Sequence, residues 1–245
     1  MIFNILTLFP EMFEGFLRTS IIGRSVENNL LDVNLINIRD FSEDKHKSVD
    51  DAPYGGGPGM VMTPQPLRDA IESVNKDSHI VFLTPKGRPL DQKKVIDISI
   101  RENVTLICGH YEGIDQRIID TYVDEEISIG DYVLTGGELG AMVVVDSVTR
   151  LLPEVLGDED SYKEDSHYNG LLDHPHYTRP QNFDGMEVPK VLLSGHHEKI
   201  EQWRLEQSII NTYKKRSDLI DKKLNSDNNE DGLVTQIKNT LKKYL

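Results

Sequence analysis

The stretch "LICGHYEGIDQRIID", residues 106–120, runs from a buried-strand pattern into a turn carrying Gly109, His110, Tyr111, Glu112 and Gly113. Glycines at the carboxyl end of a strand let the backbone come close to a ligand. The spacing matches neither the G-x-G-x-x-G of dinucleotide sites nor the lysine-bearing phosphate loop, so the occupant need not be a pyrophosphate. A second segment, "SIGDYVLTGGELG" at 128–140, also joins a strand pattern to a helix pattern, with Ile129, Val133 and Leu134 as apolar flanks. Two such turns from neighbouring strands would enclose one pocket. A flat heterocycle, such as adenine, whose edges bond to main-chain groups would suit it. Taken singly, each turn also reads as an ordinary sheet connection. A third cluster, "DDAPYGGGPGM" at 50–60, is followed by no lysine and reads either as a wall beside a bound nucleotide or as a plain loop.

The elements that would position these turns are legible from periodicity. Strand patterns occur at "IFNILTLF", "LDVNLINI", "HIVFLTP", "NVTLICG" and "EEISIGDYVL", separated by helical stretches. That alternation predicts an α/β fold with a parallel sheet over the first 150 or so residues. "PEMFEGF" begins a helix with proline, "DQKKVIDISI" has Asp91 as its N-cap, and "GELGAMVVVDSVTRLL" is a broadly apolar helix stopped at Pro153. Composition changes at Gly157, where "GDEDSYKEDSHYNG" offers little to bury. The expected organisation is a first domain over 1–156, a flexible linker or lid over 157–172, and a small helical domain over 173–245. In the last, "HEKIEQWRLEQSIINTYKKR" is the clearest amphipathic helix, Trp203 is spaced as a core residue, and "NSDNNEDG" reads as an interhelical loop.

Bulk properties bound the function. Counting glycine with the 38% hydrophobic residues gives an apolar content of about 45%, ordinary for a globular protein with a real core. There is neither an apolar run of membrane-spanning length nor a secretory-type start, so a cytoplasmic protein is expected. The lone Cys108, inside "VTLICG", cannot pair internally and reads as core packing. The formal charge of −14 argues against a general affinity for polyanions. From Lys190 onward, however, eleven Lys and Arg stand against eight Asp and Glu, so any nucleic acid would meet local basic patches on a repelling body.

Several polar residues have bland readings from type and place alone. Asp165 reads as a solvated member of an acidic loop, and Arg150 as a cation favoured by the macrodipole at a helix C-terminus. The pairs His174/His176 and His196/His197 invite a zinc hypothesis, but they lack the H-E-x-x-H arrangement and a cysteine partner, so no metal site is expected. Lys214, Lys215 and Arg216 suit either phosphate contacts or a solvated basic face.

The blocks "LTLFPEMF", "VDDAPYGGGPGM", "ICGHYEGIDQR", "SIGDYVLTGGEL", "LLDHPHYTRP" and "VLLSGHH", in this order, resemble those of the bacterial tRNA (guanine-N1)-methyltransferase family, TrmD, over residues 1 to about 216. The resemblance implies a fold of the SPOUT superfamily with a deep trefoil knot, a feature that no periodicity would suggest. It also implies a homodimer with its active site at the subunit interface, S-adenosylmethionine as cofactor, and tRNA as substrate, methylated at N1 of guanosine 37. Mg2+ is expected in the reaction, with Glu112 as a contributor. By the same resemblance the cofactor site comprises Leu83, Pro85, Gly109, Tyr111, Glu112, Gly113, Ile129, Gly130, Asp131, Tyr132, Val133, Leu134, Gly136 and Gly137. Asp165 matches the general base and Arg150 the cation facing the guanine O6. Asp173, His176 and Arg179 fall in the block that meets the RNA.

The chain departs from the family pattern at Gly140, where G-G-E-L-P is usual, at His196 in place of asparagine, and at His167 in place of an aromatic residue. These put helix entry and lid packing in question rather than the proposed acid and cation. Two other classes would share parts of the pattern. A non-catalytic RNA-binding relative would lose the acid or the turns, and a nucleotide-binding switch would need a phosphate-loop lysine that is absent.

Overall fold

The computed structural model describes residues 1–74, 76–157, 162, 165–225 and 232–244. The chain divides into two compact units, Met1–Glu159 and Asp160–Leu245. Of the stretch read as a linker, residues 158–161, 163 and 164 lie outside the described residues, as do 226–231 of the expected interhelical loop. Among the described residues no helix is long and apolar enough to cross a membrane.

The first unit contains, in chain order, β1 (Ile2–Thr7), α1 (Glu14–Leu17), α2 (Ser20–Glu27), β2 (Asp32–Asn37), the two-residue strands β3 (Asp50–Asp51) and β4 (Val61–Met62), and α3 (Pro64–Glu72). After these come β5 (His79–Pro89), α4 (Gln92–Ser99), β6 (Asn103–Cys108), α5 (Gln116–Tyr122), β7 (Glu125–Ser128) and α6 (Glu138–Thr149). The main sheet has the order β2-β1-β6-β5-β7, with every pairing parallel. Central strands of such a sheet are covered on both faces, which is why β1 and β6 read as nearly unbroken apolar runs. Alternate side chains feed opposite cores. Phe3, Ile5, Val81, Leu83, Leu106 and Cys108 pack with α2, α4 and α6, whereas Leu6, Phe82 and Ile107 pack with α3 and α5.

Most expected elements form close to where the sequence places them. Asp91 caps α4, its side chain accepting a hydrogen bond from the Lys94 backbone N–H at 2.9 Å. "PEMFEGF" divides into a 3-10 turn at Pro10–Phe13 and the short α1. Two strands differ in length from expectation. β5 runs past Pro85 to Pro89 by way of an irregularity, with both Leu83 and Arg88 set opposite Ile127. There Gly87 is needed for close approach, because a Cβ would lie 2.5 Å from the Ile127 backbone nitrogen. β7 stops at Ser128, and the remainder of "EEISIGDYVL" leaves the sheet.

The second unit holds a short hairpin, β8 (Asn182–Phe183) with β9 (Met186–Glu187), and three helices, α7 (His197–Lys215), α8 (Ser217–Leu224) and α9 (Gly232–Tyr244). Its core gathers Leu171, Ile209, Ile220 and Ile237, with Leu205, Leu224 and Leu241 packed around them. Leu171 lies inside the span 157–172, yet it is only 1% exposed in this core. Leu172 is fixed as well, its N–H donating to Thr212 Oγ1 at 2.8 Å. Trp203 is not a core residue as its spacing predicts. It is half-buried, with its ring 6.3 Å from His174 and 6.4 Å from Tyr177.

Candidate active site

The turns after β6 and β7 meet although their strands do not. β5 lies between them in the sheet, so the two turns close over its carboxyl end. The Gly137 N–H donates to the Gly109 carbonyl at 3.0 Å, and His110 and Gly136 form an antiparallel bridge. A Cβ on Gly137 would come within 2.7 Å of the Cys108 Cα, so this contact is one that only glycine permits. The end of the third glycine cluster and the residues after it hold the first turn from behind. Glu112 N–H donates to the Met60 carbonyl at 3.0 Å, and Met62 N–H to the Gly113 carbonyl at 2.9 Å.

The two turns and the end of β5 line a cavity of about 430 Å³, within the range of small-molecule and cofactor sites. Thirteen of the fourteen residues expected around the cofactor line it: Leu83, Pro85, Gly109, Tyr111, Glu112, Gly113, Ile129, Gly130, Tyr132, Val133, Leu134, Gly136 and Gly137. Asp131 does not. The wall also includes His110 and Gly140 of the two turn segments, and Phe82, Thr84, Lys86, Gln116 and Ser128, which the motifs alone do not single out. Left-handed backbone positions occur in both turns, at Gly130 (φ +153°) in the second and at two residues of the first. Tyr111 adopts φ +59°, unusual for a non-glycine residue, and Gly113 adopts φ +124°. Val133 is 82% exposed and Tyr132 55%, so this side of the cavity is apolar surface open to solvent.

Beneath the turns lies a polar network that the sequence reading did not anticipate. Glu138, the first residue of α6, is 1% exposed. It accepts a hydrogen bond from Thr7 Oγ1 at 2.7 Å, and both its oxygens lie 2.8 Å from His110 Nε2. Burial alone would raise its carboxyl pKa. The bonds from His110 and Thr7 outweigh that, and the net displacement is downward, keeping the group ionised. Its available signal was an acid opening an otherwise apolar helix directly after two glycines. Cys108, at the end of β6, is fully buried, and burial pushes its thiol well above the ordinary range.

Arg150 is the half-buried C-cap of α6. Gly140, near the start of that helix, lines the cavity, so the helix rise puts Arg150 about 15 Å away along the axis. The remaining candidates belong to the second unit. Asp165 is half-buried in a turn closed by Asp165 N–H to Tyr162 O and Tyr168 N–H to Asp165 O, both at 3.3 Å. The neighbouring Ser166 hydroxyl accepts from the Asp173 N–H at 2.9 Å, which ties the two acidic positions into one framework. Asp173 Oδ2 lies 2.7 Å from Nε2 of the exposed His176, and Asn211 Nδ2 donates to the Asp173 carbonyl at 2.8 Å. Donor atoms of Asp173, His174 and His176 fall within 4.8 Å of one another, a grouping near enough to hold an ion that the spacing alone did not suggest. Arg179 is exposed. Two basic candidates are engaged within the unit: Lys214 sits 5.1 Å over the Tyr244 ring, and Arg216 pairs with Asp218 at 2.7 Å.

Comparison with known proteins gives a concordant result. The family model described as tRNA (Guanine-1)-methyltransferase TrmD matches residues 1–222. A tRNA (guanine-N(1)-)-methyltransferase of Finegoldia magna is 55% identical over 227 residues, covering 92% of this chain and 97% of that protein. Its counterpart in Ruminiclostridium cellulolyticum is 54% identical, covering 90% and 96%. That of Clostridioides difficile is 53% identical, covering 90% and 97%.

Proposed function

The chain belongs to the TrmD family of tRNA (guanine-1)-methyltransferases, and on that premise we propose that it methylates N1 of guanosine 37 in tRNA, using S-adenosylmethionine bound in the cavity of the first unit. The observation that carries this reading is the junction of two glycine turns over the end of β5. It brings glycine-rich backbone, which a ligand can approach closely, up to the apolar side chains of Leu83, Ile129, Val133 and Leu134, with no lysine-bearing phosphate loop. An adenosine attached to a sulfonium and an amino acid needs that kind of site, whereas a nucleoside triphosphate would need a clustered anion site. When bound, the cofactor supplies the electrophilic methyl group.

The chain's own residues provide the rest. Guanine N1 must lose its proton as its lone pair is used, and the Asp165 carboxylate is the acceptor in this reading. Negative charge moving toward O6 is stabilised by the fixed Arg150 guanidinium. Asp173 accepts hydrogen bonds from the target base or its neighbour, and His176 and Arg179 contact the RNA backbone. Extrusion of the base from its stack lets these groups reach it. Glu112 is placed in the cavity wall where it could serve an Mg2+ ion.

The length of α6 supports a site shared between two copies. At about 15 Å from the cavity, Arg150 is too far along its helix to attend a methyl group held in the cavity of its own chain. Leu139 and Val143, four residues apart on α6, are 50% and 44% exposed and offer an apolar face for a second copy. Knotting of the chain about β7 belongs to this proposal as the family's way of closing the cavity.

The test is methyl transfer from labelled S-adenosylmethionine to a tRNA transcript carrying guanosine 37 and to one carrying adenosine there. Label at N1 of guanosine 37, and none in the second transcript, is expected. Cofactor binding without transfer would favour a non-catalytic RNA-binding role.

A further inference from the structure

Glu138 is a buried, ionised side chain that the proposed chemistry does not use. A carboxylate removed from water in this way is retained only where its partners compensate, and its partners here come from two other segments. Thr7 ends β1, His110 lies in the turn after β6, and Glu138 opens α6 after the turn that follows β7. The carboxylate thus spans the junction on which the cavity depends. The His110 ring is held from its other side by Phe9, edge-on at 5.0 Å between centroids, and Phe9 N–H in turn donates to Thr7 Oγ1 at 2.9 Å. Gly136 is fitted to this arrangement, since a Cβ there would collide with both the His110 ring and the Glu138 carboxylate.

We infer that Glu138 and His110 are positioning residues for the cofactor, a charge-assisted brace that holds the two glycine turns at the separation the bound adenosine requires. The inference rests on the reading of the cavity as the S-adenosylmethionine site. Neither side chain takes part in proton or methyl transfer. Their effect falls on cofactor affinity, through the main-chain groups of Gly109, Gly136 and Gly137.

The experiment is calorimetric titration of the full-length protein with S-adenosylmethionine, for wild type, Glu138→Ala, His110→Ala and the double variant, with kcat measured at saturating cofactor. Each single change should raise Kd by about tenfold or more, the equivalent of about 1.4 kcal/mol. Because both remove the same brace, the double variant should be no more than about threefold worse than the weaker single. In every variant kcat should stay within about threefold of wild type. His110→Gln, which keeps an amide donor, should recover part of the affinity. Where an alanine variant does not fold, Glu138→Gln gives the measurement with side-chain volume preserved, and a Kd rise of about threefold or more is expected.

Losses that multiply in the double variant, a fall in kcat at unchanged Kd, or a lower melting temperature with unchanged Kd would each overturn the assignment. Failure of the wild-type protein to bind S-adenosylmethionine would instead overturn the reading of the cavity. Wild-type binding with unaffected variants would overturn the brace alone.

Discussion

Replacing Gly137 with alanine tests the junction of the turns most directly. Its backbone is right-handed helical, φ −82° and ψ −8°, so a side chain meets no conformational barrier there. The obstacle is space. The added Cβ would lie 2.7 Å from the Cys108 Cα, 3.1 Å from the Gly109 nitrogen and 3.2 Å from the Cys108 carbonyl carbon, all main-chain atoms of the β6 terminus that cannot swing aside. Overpacking of this kind costs about 1–3 kcal/mol. If the turns relax apart, the Gly137 to Gly109 hydrogen bond is lost and the cost reappears when the cofactor draws them together. At 1.4 kcal/mol per decade, that is a Kd increase of about 5- to 150-fold. If they do not relax, it appears as lost stability instead. Gly140→Ala is the internal comparison for stability only, since Gly140 also lines the cavity. Its Cβ would find Leu83 Cδ1 at 3.5 Å, ordinary contact, and helix propensity should make that change stabilising by about 0.5–1 kcal/mol. Calorimetric titration with S-adenosylmethionine and thermal unfolding of both variants give the answer. Gly137→Ala with Kd within twofold of wild type and no loss of melting temperature would refute the reasoning, as would an equal loss of melting temperature in Gly140→Ala.

Further outcomes follow from the other features. Asp165→Ala should lower kcat by about 10²- to 10⁴-fold while cofactor Kd in calorimetry stays at the wild-type value. Arg150→Ala should lower kcat by about 10²- to 10³-fold, and, on the proposal of a site shared between two copies, mixing it with Gly137→Ala should regain about a quarter to half of wild-type turnover, since one site of each mixed pair would carry neither lesion. Because the Glu138 carboxyl lies below its ordinary value of 4.5, its stabilising contribution is complete above that pH and is lost as the pH falls through the lower folded value. Melting temperature should therefore drop more steeply below pH 4.5 in wild type than in Glu138→Gln. Cys108, fully buried with its thiol pKa raised, should react with a disulfide reagent only after unfolding, which a timed absorbance assay with and without denaturant will show.

The sheet was legible because its central strands are buried on both faces and so spell continuous apolar runs, as in "IFNILT" and "VTLIC". Asp91 and Pro10 announced their helices through local chemistry that needs no tertiary context. Strand ends were less legible. The extension of β5 past Pro85 depends on a register irregularity opposite Ile127, and the departure of "IGDYVL" from β7 depends on the cavity it wraps, neither of which is a local preference. Glycine spacing identified the two turns, but not that they bridge a strand lying between their own. The brace of Thr7, His110 and Glu138 joins positions up to 131 residues apart, and only its acid hinted at it. Trp203 kept helical spacing without entering the core because His174 and Tyr177, from outside its helix, occupy its flank.

The family match ends at residue 222, yet α9, beginning ten residues later, buries Val234 and Ile237 completely. Ile237 completes the same apolar cluster as Leu171 and Ile209, while Tyr244 lends its ring to Lys214. Trimming the polypeptide at the end of the matched region would strip the cover from an interior and leave greasy surface behind. Expression vectors should therefore carry the chain through α9.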